Sequence, residues 1–286
     1  MKKTKVSVIT VVYNGVEYIE NTILSVINQT YDNIEYIIVD GNSNDGTLDI
    51  INKYKDRISK IISEPDNGIY DAMNKGINIA TGDWIHFRNC GDYFASTTII
   101  SEIFDTTDDY SSIDIIHGKS ICWDKYGYFI DEPPIIKNPN ITGMPVFHPS
   151  TFVRSKLHKN LLFNLKYKLA ADHDLFVKCR KNNKKFHYIP LNVSIFNIGE
   201  GASIQGEYIS MKEHFLIHGG DIQNIKQRSI LEYKIFILKC KLLIKSIIPD
   251  WIMKRRRKKQ NKILWSTDVT IQKMINEAIN HNICAF

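Results

Sequence analysis

Three aspartates stand where main-chain elements end or begin. Asp40 closes the apolar run Ile34–Val39, Asp92 closes Asn89-Cys90-Gly91-Asp92 after the aromatic run Trp84–Phe87, and Asp172 opens Asp172-His173-Asp174 at the head of a helical pattern. In an open α/β sheet, ligands bind in the crevice beyond the carboxyl ends of the strands. A carboxylate there either holds a divalent cation or takes a proton from a reacting group. The chain contains neither GxGxxG nor GxxxxGK[ST]. A phosphorylated ligand at this edge therefore needs a cation such as Mg²⁺ or Mn²⁺ to bridge its oxygens to the acids, and dinucleotide oxidoreductase and P-loop chemistry are disfavoured.

The elements that must position these acids follow from hydrophobic periodicity. Val6–Tyr13 is a continuous apolar run, as expected of a strand buried on both faces, and Asn14-Gly15 turns it into a helix extending to about Asn28. A second strand, Ile34–Val39, leads into the turn-rich loop Asp40–Thr47, and a third reaches Ile61–Glu64. Ile69, Met73, Ile77 and Ala80 recur at helical spacing, which predicts a helix opening near Asn67 and stopped by Gly82, before the strand Trp84–Phe87. The order β-α-β-α-β-α-β implies a parallel sheet with right-handed crossovers. Beyond it, Ile113–His117 predicts another strand, residues 119–131 a hairpin turning at Tyr126-Gly127, and Pro133 to Pro149 an irregular loop. A helix from Asp172 to about Asn182, with Asp172 as its cap, and two closing strands, Phe186–Pro190 and Val193–Asn197, complete the pattern.

The segments VSVITVVYNG, YIIVDGNSNDGT, SEPDNGIYDAMNKGINIATGDWIHFRNCGD and AADHDLF together resemble the inverting glycosyltransferases of family 2, of the type that builds bacterial O-antigen, capsule and exopolysaccharide. The resemblance spans roughly residues 4 to 200. It implies a GT-A fold, a mostly parallel Rossmann-like sheet flanked by helices, and metal-dependent transfer from a UDP-sugar. Carried onto this chain, it places Thr10, Tyr13 and Asn14 along the nucleotide pocket, Asp40 on the uracil, and Asp66 of Glu64-Pro65-Asp66-Asn67-Gly68 on the nucleotide side. Asn89 to Asp92 falls where the family has its metal motif. With Asn89 first and Gly91 third, Asp92 is the one carboxylate available to Mn²⁺ or Mg²⁺. His148, in MPVFHPSTF, falls near the donor. Asp172 matches the acid that takes the acceptor proton, with Ala171 where the family has Glu. His86, His117 and His214 are expected to be structural, and Gly199–Ser203 resembles the Gly-Gly-x-Ser loop that follows the closing strands in relatives.

The chain has 286 residues, 43% hydrophobic and 24% charged, which suits one globular catalytic domain with an appendage. We place the catalytic domain at 1–206 and a helical extension at 207–286. Five scattered cysteines without a CxxC pair suit a reducing, cytoplasmic compartment. Net charge is +6, but it is unevenly spread: residues from Lys226 onward carry 14 Lys/Arg against 4 Asp/Glu, and the preceding residues 23 against 27. An acidic body disfavours nucleic acid as the cleft's partner. The stretch 230–248 sets Lys234, Lys241 and Lys245 on one helical face and Ile, Leu and Phe on the other, followed by Trp251 and the basic run 254–259. Such a helix suits peripheral attachment to the cytoplasmic face of the inner membrane, near a polyprenyl-diphosphate-linked glycan acceptor. The rival readings are a glycosidase using paired carboxylates with water, a catalytically impaired sugar-nucleotide-binding scaffold of the same fold, and, from the tail, RNA binding.

Overall fold

Seven consecutive buried residues, Val6–Val12, form the central strand β1. Its neighbours are β2 (Ile34–Asp40) on one side and β4 (Trp84–Phe87) on the other, both parallel to it, and β3 (Lys60–Ser63) extends the parallel part beyond β2. The crossovers are α1 (Ile19–Ile27), α2 (Thr47–Lys53) and α3 (Ile69–Ile79). The computed structural model describes residues 3–124, 127–138, 140–141, 143–198, 206–253 and 255.

After β4 come β5 (Tyr93–Phe94), α4 (Ile99–Phe104), the long strand β6 (Ile115–Asp124), β7 (Gly127–Asp131), α5 (Pro134–Lys137), β8 (Thr151–Arg154), α6 (Ser155–Asn160), α7 (Ala171–Lys181) and β9 (Phe186–Asn197). The sheet runs β3-β2-β1-β4-β8-β6-β9-β5, with β7 hairpinned onto β6. The parallel arrangement expected of the first four strands holds from β3 to β4. Beyond it the sheet is mixed, because β8 pairs antiparallel with both β4 and β6, whereas β9 is parallel to β6 and antiparallel to β5.

Three local expectations differ from what is observed. The two closing strands are one strand, β9, whose register against β6 shifts between His117 and Ser120, opposite the stretch holding Pro190. Proline has no N–H for the ladder, so the break in pairing there leaves the chain extended but irregular. The loop from Pro133 to Pro149 contains a turn of α-helix, α5, begun by Pro134 at a position where the missing N–H costs nothing, and runs into a 3-10 turn at His148–Ser150. Asp172 does not cap α7: Ala170 occupies the cap position without a side-chain hydrogen bond, and Asp172 lies in the first turn.

Apolar side chains fill both faces of the sheet. One cluster packs α3 and α7 on Ile9, Ile37 and Phe87, and the other packs α1 and α4 on Val8, Ile38 and Trp84. A smaller cluster, Tyr93, Ala95, Ile121 and Ile195, fastens β5, β6 and β9 together. Two further helices follow, α8 (Glu207–Ile217) and α9 (Ile225–Ile247). α8 lies against α7. α9 buries Leu231 and Ile235 and leaves Tyr233, Phe236, Leu243 and Ile247 exposed. Among the described residues no helix is long and apolar enough to cross a membrane. The residues 199–203 and the basic run 256–259 singled out above lie outside the described residues, as does Lys254.

Candidate active site

Gly15 to Asp45 is where two strand-end loops interlock. Asn14, at φ 49°, donates its backbone N–H to Ser43 Oγ (2.8 Å) and accepts from Asn44 N at its side-chain oxygen (3.0 Å). Val16 N donates to Asp45 Oδ2 at 3.0 Å, and Gly15 N to Thr47 Oγ1 at 2.9 Å. Asp40 is fully buried beneath this turn. Its carboxylate accepts from Ser43 N (3.0 Å), Ser43 Oγ and Ser63 Oγ (2.7 Å). The residue that follows, Gly41, packs closely against both neighbours: a Cβ there would stand 2.4 Å from Asp66 Oδ2 and 3.3 Å from the Tyr13 ring, so a side chain would have to displace them. Tyr13, 64% exposed, and Asp66, which accepts from Gly68 N at 2.9 Å, therefore flank the Gly41 backbone at the surface. Thr10 lies below, fully buried, sharing a hydrogen bond with the Tyr36 hydroxyl (3.0 Å) and donating to the Arg88 carbonyl (2.8 Å).

A cavity of about 620 Å³ opens beside this cluster, and Asn89, Gly91, Asp92, His148 and Asp172 all line it. Five of the residues singled out in the sequence are thus brought to one space, while Tyr13, Asn14 and Asp66 form the adjoining surface and the fully buried Asp40 and Thr10 support them from beneath. The turn Asn89–Asp92 is set by Gly91 at φ +92°, whose N–H donates to Thr22 Oγ1 at 3.0 Å. Burial pushes the Asp92 carboxyl up to about 7, with the neighbouring Arg88 charge drawing it down. Asn89 Oδ1 is buried and has no hydrogen-bond partner among the described residues. An orphaned amide oxygen beside a carboxylate whose charge burial disfavours is a donor set that a hard cation would complete. Among the described residues no cluster of three or more His, Cys, Asp or Glu side chains could hold a metal. The fit is therefore to an ion that takes one carboxylate and one amide oxygen from the protein and the rest from phosphate and water, as Mg²⁺ does in many phosphate sites.

Asp172 enters the cavity from the first turn of α7. Its Oδ1 accepts from the Tyr70 hydroxyl at 2.8 Å and from His173 N at 2.9 Å, which leaves Oδ2 for a ligand. Burial, reinforced by Asp172, holds the Tyr70 phenol well above its usual range, so it remains a donor. His148 is buried among Phe87, Phe163 and Phe176, with ring centroids 5.4–6.1 Å away. Burial depresses its pKa, which Asp172 partly opposes, and the imidazole is neutral at pH 7. Cys90 is a thiol that burial pushes up to about 12.

Several contributors have no motif of their own. Arg88 is fully buried, donates Nη1 to the Tyr93 carbonyl (3.0 Å), lies 2.7 Å from His86 Nε2 through Nη2, and stacks 4.0 Å over the Phe94 ring. Burial lowers it to about 9, against the pull of Asp92. Its one sequence signal is an arginine at the end of an otherwise aromatic strand. Glu213 of α8 is buried and accepts from Lys168 N (2.7 Å) and Leu169 N (2.9 Å), just ahead of α7. His214 stacks on His173 with centroids 4.1 Å apart, and His218 Nε2 meets His173 Nε2 at 2.9 Å. Of the histidines expected to be structural, His86 is held by the Thr151 carbonyl at 2.8 Å, and His117 is buried against Phe186 and Tyr188.

Comparison with known proteins fixes the family. A family model described as glycosyl transferase family 2 matches residues 7–139. A protein of Methanocaldococcus jannaschii, called an uncharacterized glycosyltransferase, is 30% identical over 201 residues, covering 66% of this chain and 69% of the relative. The chain belongs to glycosyl transferase family 2. A PGL/p-HBAD biosynthesis glycosyltransferase of Mycobacterium bovis is 29% identical to this glycosyltransferase over 153 residues, 51% of this chain and 58% of that protein, so the match spans little more than half of the relative. The crystal structure of S. aureus TarS 1–349 in complex with UDP-GlcNAc aligns with TM-score 0.60 and 18% identity over 98% of this chain and 81% of that one. Glucosyl-3-phosphoglycerate synthase from Mycobacterium tuberculosis, in complex with Mn²⁺, UDP and phosphoglyceric acid, aligns with TM-score 0.54 and 13% identity over 76% and 79%. The fold of this glycosyltransferase is the GT-A fold expected from its sequence.

Proposed function

We propose that this glycosyltransferase moves a hexose from a UDP-sugar, with inversion, onto a lipid-linked oligosaccharide of bacterial surface polysaccharide biosynthesis. The observation that carries this reading is that Asp92, with Asn89, and Asp172 line one cavity from two different elements. In-line displacement needs a proton acceptor for the attacking hydroxyl and a stabilised diphosphate on the leaving side, and it needs no covalent nucleophile.

Asp172 Oδ2 takes the acceptor hydroxyl proton while Tyr70 holds Oδ1 in place. On the nucleotide side, Tyr13 and Asp66 flank the nucleobase over Gly41, and buried Asp40 fixes the turn that presents it. Asp92 and Asn89 Oδ1 would hold Mn²⁺ or Mg²⁺, as the donor set described above allows. A divalent ion supplies neutralisation of the departing diphosphate. The use of UDP-sugars and Mn²⁺ is supported by what the fold's neighbours TarS and glucosyl-3-phosphoglycerate synthase bind. Attachment to the cytoplasmic face of the inner membrane is supported by the exposed apolar stripe of α9 and the basic run that follows it in the sequence.

The test is calorimetric titration of UDP with and without Mn²⁺, followed by a screen of nucleotide sugars with lipid-linked acceptors. Mn²⁺-dependent UDP binding by the wild type and by Asp172→Asn, with turnover only in the wild type, is the expected result. UDP binding that ignores Mn²⁺ would defeat the metal role, and binding without turnover on any acceptor would favour a sugar-nucleotide-binding scaffold.

A further inference from the structure

The chain just ahead of Asp172 has a surface chemistry of its own. Residues 155–171 carry four lysines and no Asp or Glu, in a body where acids outnumber bases. In the connection between α6 and α7, Phe163 and Tyr167 turn inward and are buried, whereas Leu162 and Leu165 are 42% and 52% exposed, and Lys166 and Lys168 are exposed beside them. Glu213, which reaches this stretch from α8, is buried and occupied by Lys168 N and Leu169 N.

Hydrogen bonds hold the connection in this posture. Asn74 of α3 closes on the main chain of Phe163 in both directions, Nδ2 donating to its carbonyl and Oδ1 accepting from its N–H, each at 2.9 Å. Asn164 Oδ1 accepts from Lys166 N at 3.1 Å, and the Asn164 carbonyl from Tyr167 N at 3.0 Å. The two leucines are thus kept outward by a fixed backbone. The inner side of the same stretch backs the cavity wall: the Phe163 ring lies 5.2 Å from Tyr70, whose hydroxyl donates to Asp172, and 5.7 Å from His148. Leucines have apolar surface to place at the edge of the acyl chains, and lysines without neighbouring acids in the sequence complement anionic headgroups. α8, which grips the end of this stretch, also packs on α9.

Resting on the lipid-linked acceptor and membrane attachment read under Proposed function, we propose that residues 162–168 form a second membrane contact, separate from α9, in which Leu162 and Leu165 enter the headgroup boundary of an anionic bilayer and Lys166 and Lys168 meet its phosphates. Contact there brings the Asp172 side of the cavity to the surface on which a lipid-linked acceptor carries its sugar.

The experiment titrates the full chain with vesicles of phosphatidylglycerol and phosphatidylcholine in equal parts, and of phosphatidylcholine alone, and reads partition by sedimentation. Leu162→Ser combined with Leu165→Ser is expected to lower partition to the mixed vesicles by about tenfold. Lys166→Gln combined with Lys168→Gln is expected to lower it by about tenfold on the mixed vesicles and to leave partition to phosphatidylcholine unchanged. Lys53→Gln combined with Lys55→Gln, exposed residues beside the helix α2 that packs on the opposite face of the sheet, is expected to partition as the wild type does. Melting temperature and calorimetric UDP affinity stay unchanged in all three variants and report their integrity. Wild-type partition by the serine variant, or equal weakening by the two lysine pairs, would overturn the inference; light scattering that shows the serine variant dissociating a wild-type dimer would assign the face to a second copy of this chain instead. A wild type that partitions to neither vesicle would overturn the membrane reading beneath the inference along with it, and failure of UDP to bind would overturn the reading of the cavity.

Discussion

The Tyr70 hydroxyl donates to Asp172 Oδ1 at 2.8 Å, joining the first turn of α3 to the first turn of α7 across 102 residues of sequence. One oxygen of the proposed base is therefore fixed by a group that burial keeps protonated. Tyr70→Phe removes that donor and keeps the ring, which packs 5.2 Å from Phe163. We expect kcat to fall by about tenfold with UDP affinity unchanged, and stability to fall by about 1–2 kcal/mol. Steady-state kinetics beside urea unfolding would check this, and an unaltered kcat would remove Tyr70 from the mechanism.

Asp92 sets a pH dependence. Its carboxyl is raised from 3.8 to about 7, so between those values the folded chain holds a proton that the unfolded chain releases. Metal-free stability should therefore fall as pH rises through this window, with the penalty fully present above about 7. Asp92→Asn should stabilise the metal-free protein at pH 8 by on the order of 1–3 kcal/mol and leave it unchanged near pH 3.5. The same variant should lose Mn²⁺-dependent UDP binding. Chemical denaturation at the two pH values in chelator is the measurement, and equal stabilisation at both would refute the assignment.

Arg88 works through shape as much as charge. Its fork spans His86 and the Tyr93 carbonyl while its plane lies over Phe94, a geometry an ammonium cannot copy. Arg88→Lys should destabilise the protein by about 2–4 kcal/mol and weaken Mn²⁺–UDP binding, because the segment carrying Asp92 loses its anchor. Thermal melting with and without UDP and Mn²⁺ would separate the two effects.

How much of this could be seen in the sequence depends on the range of the forces involved. The strands β1, β2 and β4 were legible because full burial demands continuous apolar runs, and α3 because its buried face repeats at helical spacing. The acids were legible from their place at the ends of those elements. Tyr70, Arg88 and Glu213 were not, since each acts on a partner distant in the chain or through backbone groups that carry no sequence signature. The fusion of two expected strands into β9 was hidden by Pro190, which interrupts the ladder without ending the strand. The second half of the sheet was hidden because β8 reverses direction, and strand direction there is set by packing that no local pattern encodes.

The exposed stripe of α9 makes its own prediction. Phe236, Leu243 and Ile247 are 60%, 64% and 73% exposed on a helix that also presents lysines to solvent. Replacing all three with Glu should abolish flotation with phosphatidylglycerol vesicles while leaving the melting temperature unchanged, since none of the three is buried. Retained flotation would place membrane contact elsewhere, and a wild type that does not float would rule it out.

Glu213 also bears on engineering. Because both its carboxylate oxygens hold the backbone just ahead of Asp172, α8 acts as a brace for the proposed proton acceptor. A chimera that exchanges acceptor preference between relatives must move α7 and α8 as one block. A crossover placed between them would leave two backbone N–H groups, and the acid they precede, to a helix that evolved to support a different loop.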